Sequence, residues 1–288
     1  LTKQIEKMSK PQGAGPDERL WKPGVDKSGN GYAVVRFLPE PDGEDLPWAQ
    51  VWSHAFQGAG GWYIENSLTT LGQKDPVGEL NRTLWNSGLD QDKETARKQK
   101  RKLSYYSNIY VVKDPKHPEN EGKVFLYKYG KKIHDKILAA MQPEFQDETP
   151  VNVFDLWEGA NFKLKIKKVA GYWNYDSSEF DSVSALSADD DELEAIWKKE
   201  YSLEAFTSKD QFKTYEELEN RLNLVLGIGQ RPVARPVDES LEDLSEGLGY
   251  DHTADRFNEK AAAPSPVKKE AVVDDDDALS YFAKLAEE

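Results

Sequence analysis

Cysteine is absent from the 288 residues, and methionine and histidine are scarce, at two and four. The first absence removes disulfides, thiolate nucleophiles and every cysteine-containing zinc site. The shortage of histidine leaves little imidazole chemistry: His117 and His134 stand near basic segments with no Ser, Cys or acidic partner at a catalytic spacing. A phosphate loop is missing too, since GNG at 29–31 lacks the rest of that signature. No run approaches the roughly 18 consecutive apolar residues of a membrane span, and the opening LTKQIEKMSK has no apolar signal-peptide core. These absences predict a soluble, intracellular chain without a metal or other cofactor.

What is abundant is charge, and it is unevenly placed. The formal net charge is -14. Residues 238–288 hold 15 acidic and 5 basic side chains, a net of -10, which leaves -4 for residues 1–237. Within that body, Lys93 to Lys136 carries 13 basic and 5 acidic residues, a local +8. The average therefore hides a positive face on the body and a negative extremity.

Leu1, Ile5 and Met8 recur at helical spacing before Pro11, predicting a short amphipathic helix. GYAVVRFLP (31–39), LPWAQVWSHAF (46–56) and GWYIENSL (61–68) are β-branched and aromatic runs separated by turn-forming PDGED and QGAG. KRKLSYYSNIYVVKDP (100–115) and KVFLYKYGKK (123–132) read as a hairpin with a long loop. KIHDKILAAM predicts a helix stopped by Pro143, and VNVFDLWEGANFKLKIKKVAGYWNYD (151–176) returns to strand pattern, with Phe162, Leu164 and Ile166 opposite Lys163, Lys165 and Lys167. Residues 189–226 predict two helices with acidic first turns. After Gly227, Pro-rich linkers and acidic runs predict a flexible tail.

Three places pair cations with aromatics. Lys100, Arg101 and Lys102 precede Tyr105 and Tyr106; Tyr127, Lys128 and Tyr129 interleave beside Lys131 and Lys132; Tyr172, Trp173 and Tyr175 follow the lysines of 163–168. For a single tyrosine on a half-buried strand, a place in the core is the commoner outcome. Threefold recurrence favours a single-stranded nucleic acid, whose phosphates ask for cations and whose bases ask for ring faces. A duplex, with its bases stacked away, explains the pattern less well.

GNGYAVVRFLP, GGWYIE, KRKLSYYSNIYVVKDP, HPENEGKVFLYKYGKKI, WEGANFKLKIKKVAGYWNYD and TSKDQFKTYEEL together resemble the helix-destabilising single-stranded DNA-binding proteins of T-even-like bacteriophages, over roughly residues 1–227. The resemblance implies a mainly β, α+β protein. It would have an N-terminal arm (1–16) that docks on a neighbouring protomer, an OB-fold core (17–227) with an inserted subdomain at about 54–103, C-terminal helices, and an acidic partner-binding tail (228–288). It implies that Tyr105, Tyr106, Tyr127, Tyr172 and Tyr175 match cleft aromatics or their neighbours, and that Arg36, Lys100, Arg101 and Lys102 match basic cleft residues. Tyr129 and Trp173, with Lys128, Lys131 and Lys132, come from the pattern alone.

Two departures follow. The family's best-known members hold zinc through one histidine and three cysteines; His54 matches the histidine, but Ser67 and the DPVG run at 75–78 replace cysteines. No zinc site is expected, and Trp62, Leu71, Leu80, Leu84 and Trp85 are left to hold the subdomain by packing. The family's arm also opens with a basic Lys-Arg-Lys-Ser-Thr run that is not found ahead of Leu1, so the arm is expected to be shortened; KRKLS at 100–104 resembles that run.

The function expected from all this is non-catalytic coating, protection and melting of single strands in phage replication, recombination and repair, in the host cytoplasm. In the tail, Asp274, Asp275, Asp276 and Asp277 lead into the apolar stripe Leu279, Tyr281, Phe282 and Leu285, a candidate contact for replication and recombination proteins. A generic acidic run is more often merely solubilising. Two alternatives remain: a metal-dependent single-strand nuclease built on the acids at 189–194, which are better read as a dipole-matched helix start, and an RNA-binding translational regulator that uses the same cation and ring chemistry.

Overall fold

The computed structural model describes residues 17–145, 147–169 and 171–228. The helix expected over the first ten residues and the acidic tail lie outside these. Among the described residues nine strands form one sheet: β1 (Leu20–Trp21), β2 (Gly31–Phe37), β3 (Ala49–Gly58), β4 (Gly61–Asn66), β5 (Lys102–Lys113), β6 (Val124–Tyr129), β7 (Ala160–Val169), β8 (Tyr172–Asn174) and β9 (Glu179–Val183). Five α-helices accompany them: α1 (Pro76–Asn86), α2 (Asp90–Lys98), α3 (Lys131–Met141), α4 (Asp190–Trp197) and α5 (Tyr215–Leu226). The fold is mixed α and β, with the sheet predominant.

β5 organises the sheet. Its first residues pair with β3, its middle with β6 and its last with β2, all antiparallel. β2 pairs in turn with β7, and β7 with β8 and β9. A twelve-residue strand can serve three partners because the sheet twists along it. Alternation then sorts its side chains: Tyr105, Ser107, Ile109 and Val111 enter the main core, where they meet Phe37, Tyr127, Tyr129, Phe154, Phe162, Leu164 and Ile166. Burying each such side chain contributes roughly 1.5–3 kcal/mol. α3 lays Ile133 and Ile137 on this core, and the His134 ring lies flat on Tyr105 at 3.8 Å.

The expected strand pattern of 151–176 holds only for its second part, since residues before Ala160 form turns. Phe162, Leu164 and Ile166 do face the core. The segment between Ser67 and Arg101, for which only apolar packing residues were anticipated, contains α1 and α2. Asp75 caps α1 by accepting from Val77 N and Gly78 N, and Pro76 opens the first turn.

This helical insertion packs around Phe56, Tyr63, Leu68 and Val77, and α5 closes it with Leu218, Leu222 and Val225. Leu71 and Leu80 support that cluster, while Leu84 and Trp85 pack on Ala96. At the β3–β4 turn the Gly60 N–H donates to Val225 O at 2.7 Å. A Cβ at Gly60 would collide with the Leu224 carbonyl, so glycine is what lets the hairpin touch the helix end.

Packing is not the only thing holding the insertion together. His54 has partners: its Nδ1 faces Gln99 O at 2.9 Å and its Nε2 faces Asp75 Oδ1 at 3.3 Å, both side chains being buried. Asp75 Oδ2 accepts from Ser67 Oγ at 2.9 Å and Leu68 N at 3.1 Å. Burial alone would raise the Asp75 pKa, but hydrogen bonding and charge from His54, with Ser67 and Gly78, hold it below the usual carboxylate value. This set does not fit the tetrahedral zinc of the resembled proteins: it offers one imidazole, no thiolate, and a carboxylate whose oxygens are already engaged. Among the described residues no three His, Cys, Asp or Glu side chains group as metal ligands.

Candidate nucleic-acid interface

Opposite the core, the other face of β3, β5 and β6 lines a cleft of about 440 Å³. Its floor follows from register: Ser53 pairs with Lys102, Val51 with Ser104, Ala49 with Tyr106, and Tyr106 with Lys128. Alternation places Lys102, Ser104 and Tyr106 together on this side, while Leu103 and Tyr105 point away. Ile64, Glu65 and Asn66 of β4, joined to Gln211 and Lys213, form its wall together with Asp210, Phe212 and Glu217.

Tyr106 is the aromatic centre. Phe206 stacks on its ring at 4.2 Å and 18°, and the Lys128 ammonium lies 5.7 Å from its centroid. Half-buried Lys128 has its pKa pushed down to about 8, chiefly by burial and then by the charge of Lys102. Lys102, exposed at its end but flanked by protein, is also lowered by desolvation. Two ammonium groups brought together in a part-enclosed cleft favour an anion between them. The floor is thus a ring platform bordered by cations. The outer flank includes acids, with Glu65 bridged to Lys213 at 2.5 Å.

The other residues singled out in the sequence fall into different places. Tyr105, Tyr127 and Tyr129 belong to the main core rather than to an open surface. Tyr127 meets Trp21 at 5.2 Å, Tyr105 is covered by His134, and Tyr129 shares a hydroxyl hydrogen bond with Ser107. Burial raises the pKa of both Tyr127 and Tyr129. These rings are enclosed in the structure, against the nucleic-acid contact expected of them.

Arg36 is corrected likewise. Fully buried, it donates to Asn161 Oδ1, Asp155 O and Ser184 O at 2.8–3.1 Å, so its guanidinium fastens loops instead of meeting phosphate. From Ala33 to Phe37, β2 is covered on both faces, so successive residues there are all inside. Arg101 lies over the Trp52 ring at 4.5 Å, and Trp52 alternates with the cleft residues Val51 and Ser53, on the opposite side of β3.

A third group lies at the β7–β8 edge. Tyr172 and Trp173 are 65% and 43% exposed, and Trp173 is paired with Lys168. Tyr175 packs against the core, with burial pushing its pKa up to about 12. Lys131 pairs with Asp135 at 3.6 Å and Lys132 with Asp176 at 3.4 Å. Lys100 sits just before β5. Sequence reasoning missed Phe206, Phe212 and Lys213, although all but Phe206 fall in the TSKDQFKTYEEL run already marked as informative.

The chain matches the family model described as gp32 DNA binding protein like over residues 29–226. It is 40% identical over 270 residues to the single-stranded DNA-binding protein of Enterobacteria phage T2, covering 90% of this chain and 88% of that protein. Against the protein of the same name from Enterobacteria phage T4 it is 40% identical over 269 residues, with the same coverage. A shorter match to the single-stranded DNA-binding protein of Enterobacteria phage RB70 is 35% identical over 108 residues, 37% of this chain and 92% of that one. The chain belongs to the gp32-like family of DNA-binding proteins.

Proposed function

We propose that this protein binds single-stranded DNA stoichiometrically, coating and protecting exposed strands during phage replication, recombination and repair in the host cytoplasm, without catalysing a reaction. The observation that carries this reading is the juxtaposition of the Tyr106 platform with Lys102 and Lys128 in one cleft, in a chain 40% identical to proteins named for that activity. Ring faces accept any base and ammonium groups follow phosphates, so the binding is sequence-tolerant and excludes a stacked duplex. Melting of weak hairpins follows, because only unstacked bases fit. The exposed pair Tyr172 and Trp173, near Lys168, extends the same chemistry to a second contact on the strand.

The finer organisation belongs to the same proposal. The sheet in which β5 serves β2, β3 and β6 around an aromatic core supports an OB-type barrel for residues 17–227, with residues 54–103 as its insertion. Residues 1–16 act as the arm that contacts a neighbouring protomer, and residues 228–288 as the tail that meets replication and recombination proteins.

Quenching of intrinsic fluorescence by oligo-dT tests the core of this. Tyr106→Ala should weaken binding of every sequence by about 1–3 kcal/mol, with log K falling on log salt by about 0.7 for each phosphate neutralised. Unchanged affinity in a folded variant would remove Tyr106, and the cleft with it, from the interface.

A further inference from the structure

A second groove, of about 480 Å³, lies between the loop following β2, the turn before β7 and α4. Its floor is apolar, made by Leu156 and Leu193, and two indoles form its walls. Trp157 is 53% exposed, an unusual state for so large a ring. Both indoles are held in place: Trp157 Nε1 donates to Asp190 Oδ1 at 2.9 Å, and Trp197 Nε1 to Glu40 O at 3.0 Å. The exposed apolar surface is thus rigid and already shaped.

Its rim has one sign of charge. Glu40, Asp42, Glu44, Asp190 and Glu194 line the groove; Glu194 is bridged to Lys198 at 2.5 Å just outside it, and among the described residues no lysine or arginine lines it. The negative field is felt within the protein: Glu200 has its pKa pushed up to about 9 by burial first, then by Glu40 and Glu44. Such a surface repels phosphates, which separates it in function from the cleft beside Lys128. Complementarity calls for a cation-bearing partner that also buries an apolar side chain, and indoles reward a nearby ammonium or guanidinium.

We propose that this groove docks a basic amphipathic segment of a partner protein, an apolar side chain entering between Trp157 and Trp197 while lysines or arginines meet the surrounding carboxylates. The inference stands independently of the DNA reading. It gives the core a protein-binding surface of its own, one that prefers a basic partner.

The test is an NMR titration of the full-length protein with a short helical peptide of lysine and leucine. It follows the indole N–H resonances of Trp157 and Trp197, assigned through Trp157→Phe and Trp197→Phe. Saturable shifts at both indoles are expected, weakened at least about tenfold in Glu40→Lys/Glu194→Lys, with oligo-dT binding unchanged. A glutamate–leucine peptide should leave them still. Absence of a saturable indole shift, whatever happens elsewhere in the spectrum, overturns the proposal, as does equal binding by the charge-reversed variant. If Lys3→Glu/Lys7→Glu moves the same indole resonances before peptide is added, the groove's occupant is the chain's own first residues and the external partner is refuted.

Discussion

Neighbouring residues of like type do opposite jobs here. Tyr105 and Tyr106 are adjacent in sequence, yet one is sealed under His134 and the other carries the cleft platform. Period-2 alternation made their opposition legible; which of the two faced inward depended on α3, whose His134 covers one side, and strand pattern contains no information about that. Arg36 illustrates the same limit, because a cation on a strand ordinarily signals solvent and only the loops around Asp155 and Ser184 make it a structural residue. Lys128 offers a direct test of the cleft. Its depressed pKa of about 8 means that the free protein loses this charge as pH rises through that value, whereas a bound phosphate favours the ammonium form. Affinity for oligo-dT should therefore fall between about pH 7.5 and 9, with proton uptake on binding measurable by calorimetry in buffers of different ionisation enthalpy. In Lys128→Arg, which stays charged throughout, that decline should flatten; an identical pH profile would show that Lys128 is not at the strand. The Glu200 pKa is shifted the other way, upward, and bears on stability. With a folded pKa of about 9 against an ordinary value near 4.5, the folded chain keeps a proton that the unfolded chain releases. Its contribution to stability therefore declines as pH rises across that window. Glu200→Gln should stabilise the protein by about 1–3 kcal/mol at pH 8 and leave thermal midpoints near pH 4.5 unchanged.

Among elements, β2 to β8 and α3 to α5 were visible because their patterns are strong: β7 alternates Phe162, Leu164 and Ile166 with lysines, and α5 has a capping box formed by Thr214 and Glu217. The short β1 and β9 were not. α1 and α2 were not foreseen. Their segment is polar, and its one clear start signal, Asp75 before Pro76, was weighed only as a replacement for a metal ligand. The hydrogen-bond network was equally hidden, since His54, Ser67, Asp75 and Gln99 are spread over 45 residues and share no spacing that marks them as one cluster. Asp75 joins β4's exit, the start of α1 and the His54 imidazole, so its loss removes a cap and strands buried donors together. Asp75→Ala should cost about 2–4 kcal/mol, read as a lowered denaturant midpoint, with early proteolysis within residues 67–100. Since its pKa is depressed, the contribution exists above the usual carboxylate range and vanishes as pH falls through it. Wild type and variant should thus converge in stability at acid pH. A midpoint unaltered at neutral pH would assign the insertion's stability to the cluster around Tyr63 alone.

For the whole molecule, the distribution of charge matters more than its total. The cleft cations Lys102 and Lys128 come from the stretch Lys93 to Lys136, at +8, while residues 238–288 carry -10 on the same chain. A tethered polyanion competes with DNA at an effective concentration set by its linker rather than by dilution, and this competition is electrostatic, so it fades as salt shortens the Debye length from about 10 Å at 0.1 M to about 3 Å at 1 M. Protein ending at Val237 should therefore bind oligo-dT more tightly than the full chain at low salt, with the two converging near molar salt. The truncated form should also show the steeper salt dependence, because in the full chain salt weakens the competitor and the DNA contact together. Fluorescence titrations of both forms across one salt series decide the matter: equal affinities at the lowest salt would mean that the acidic residues never approach the cleft, and that the two charge centres act on separate partners.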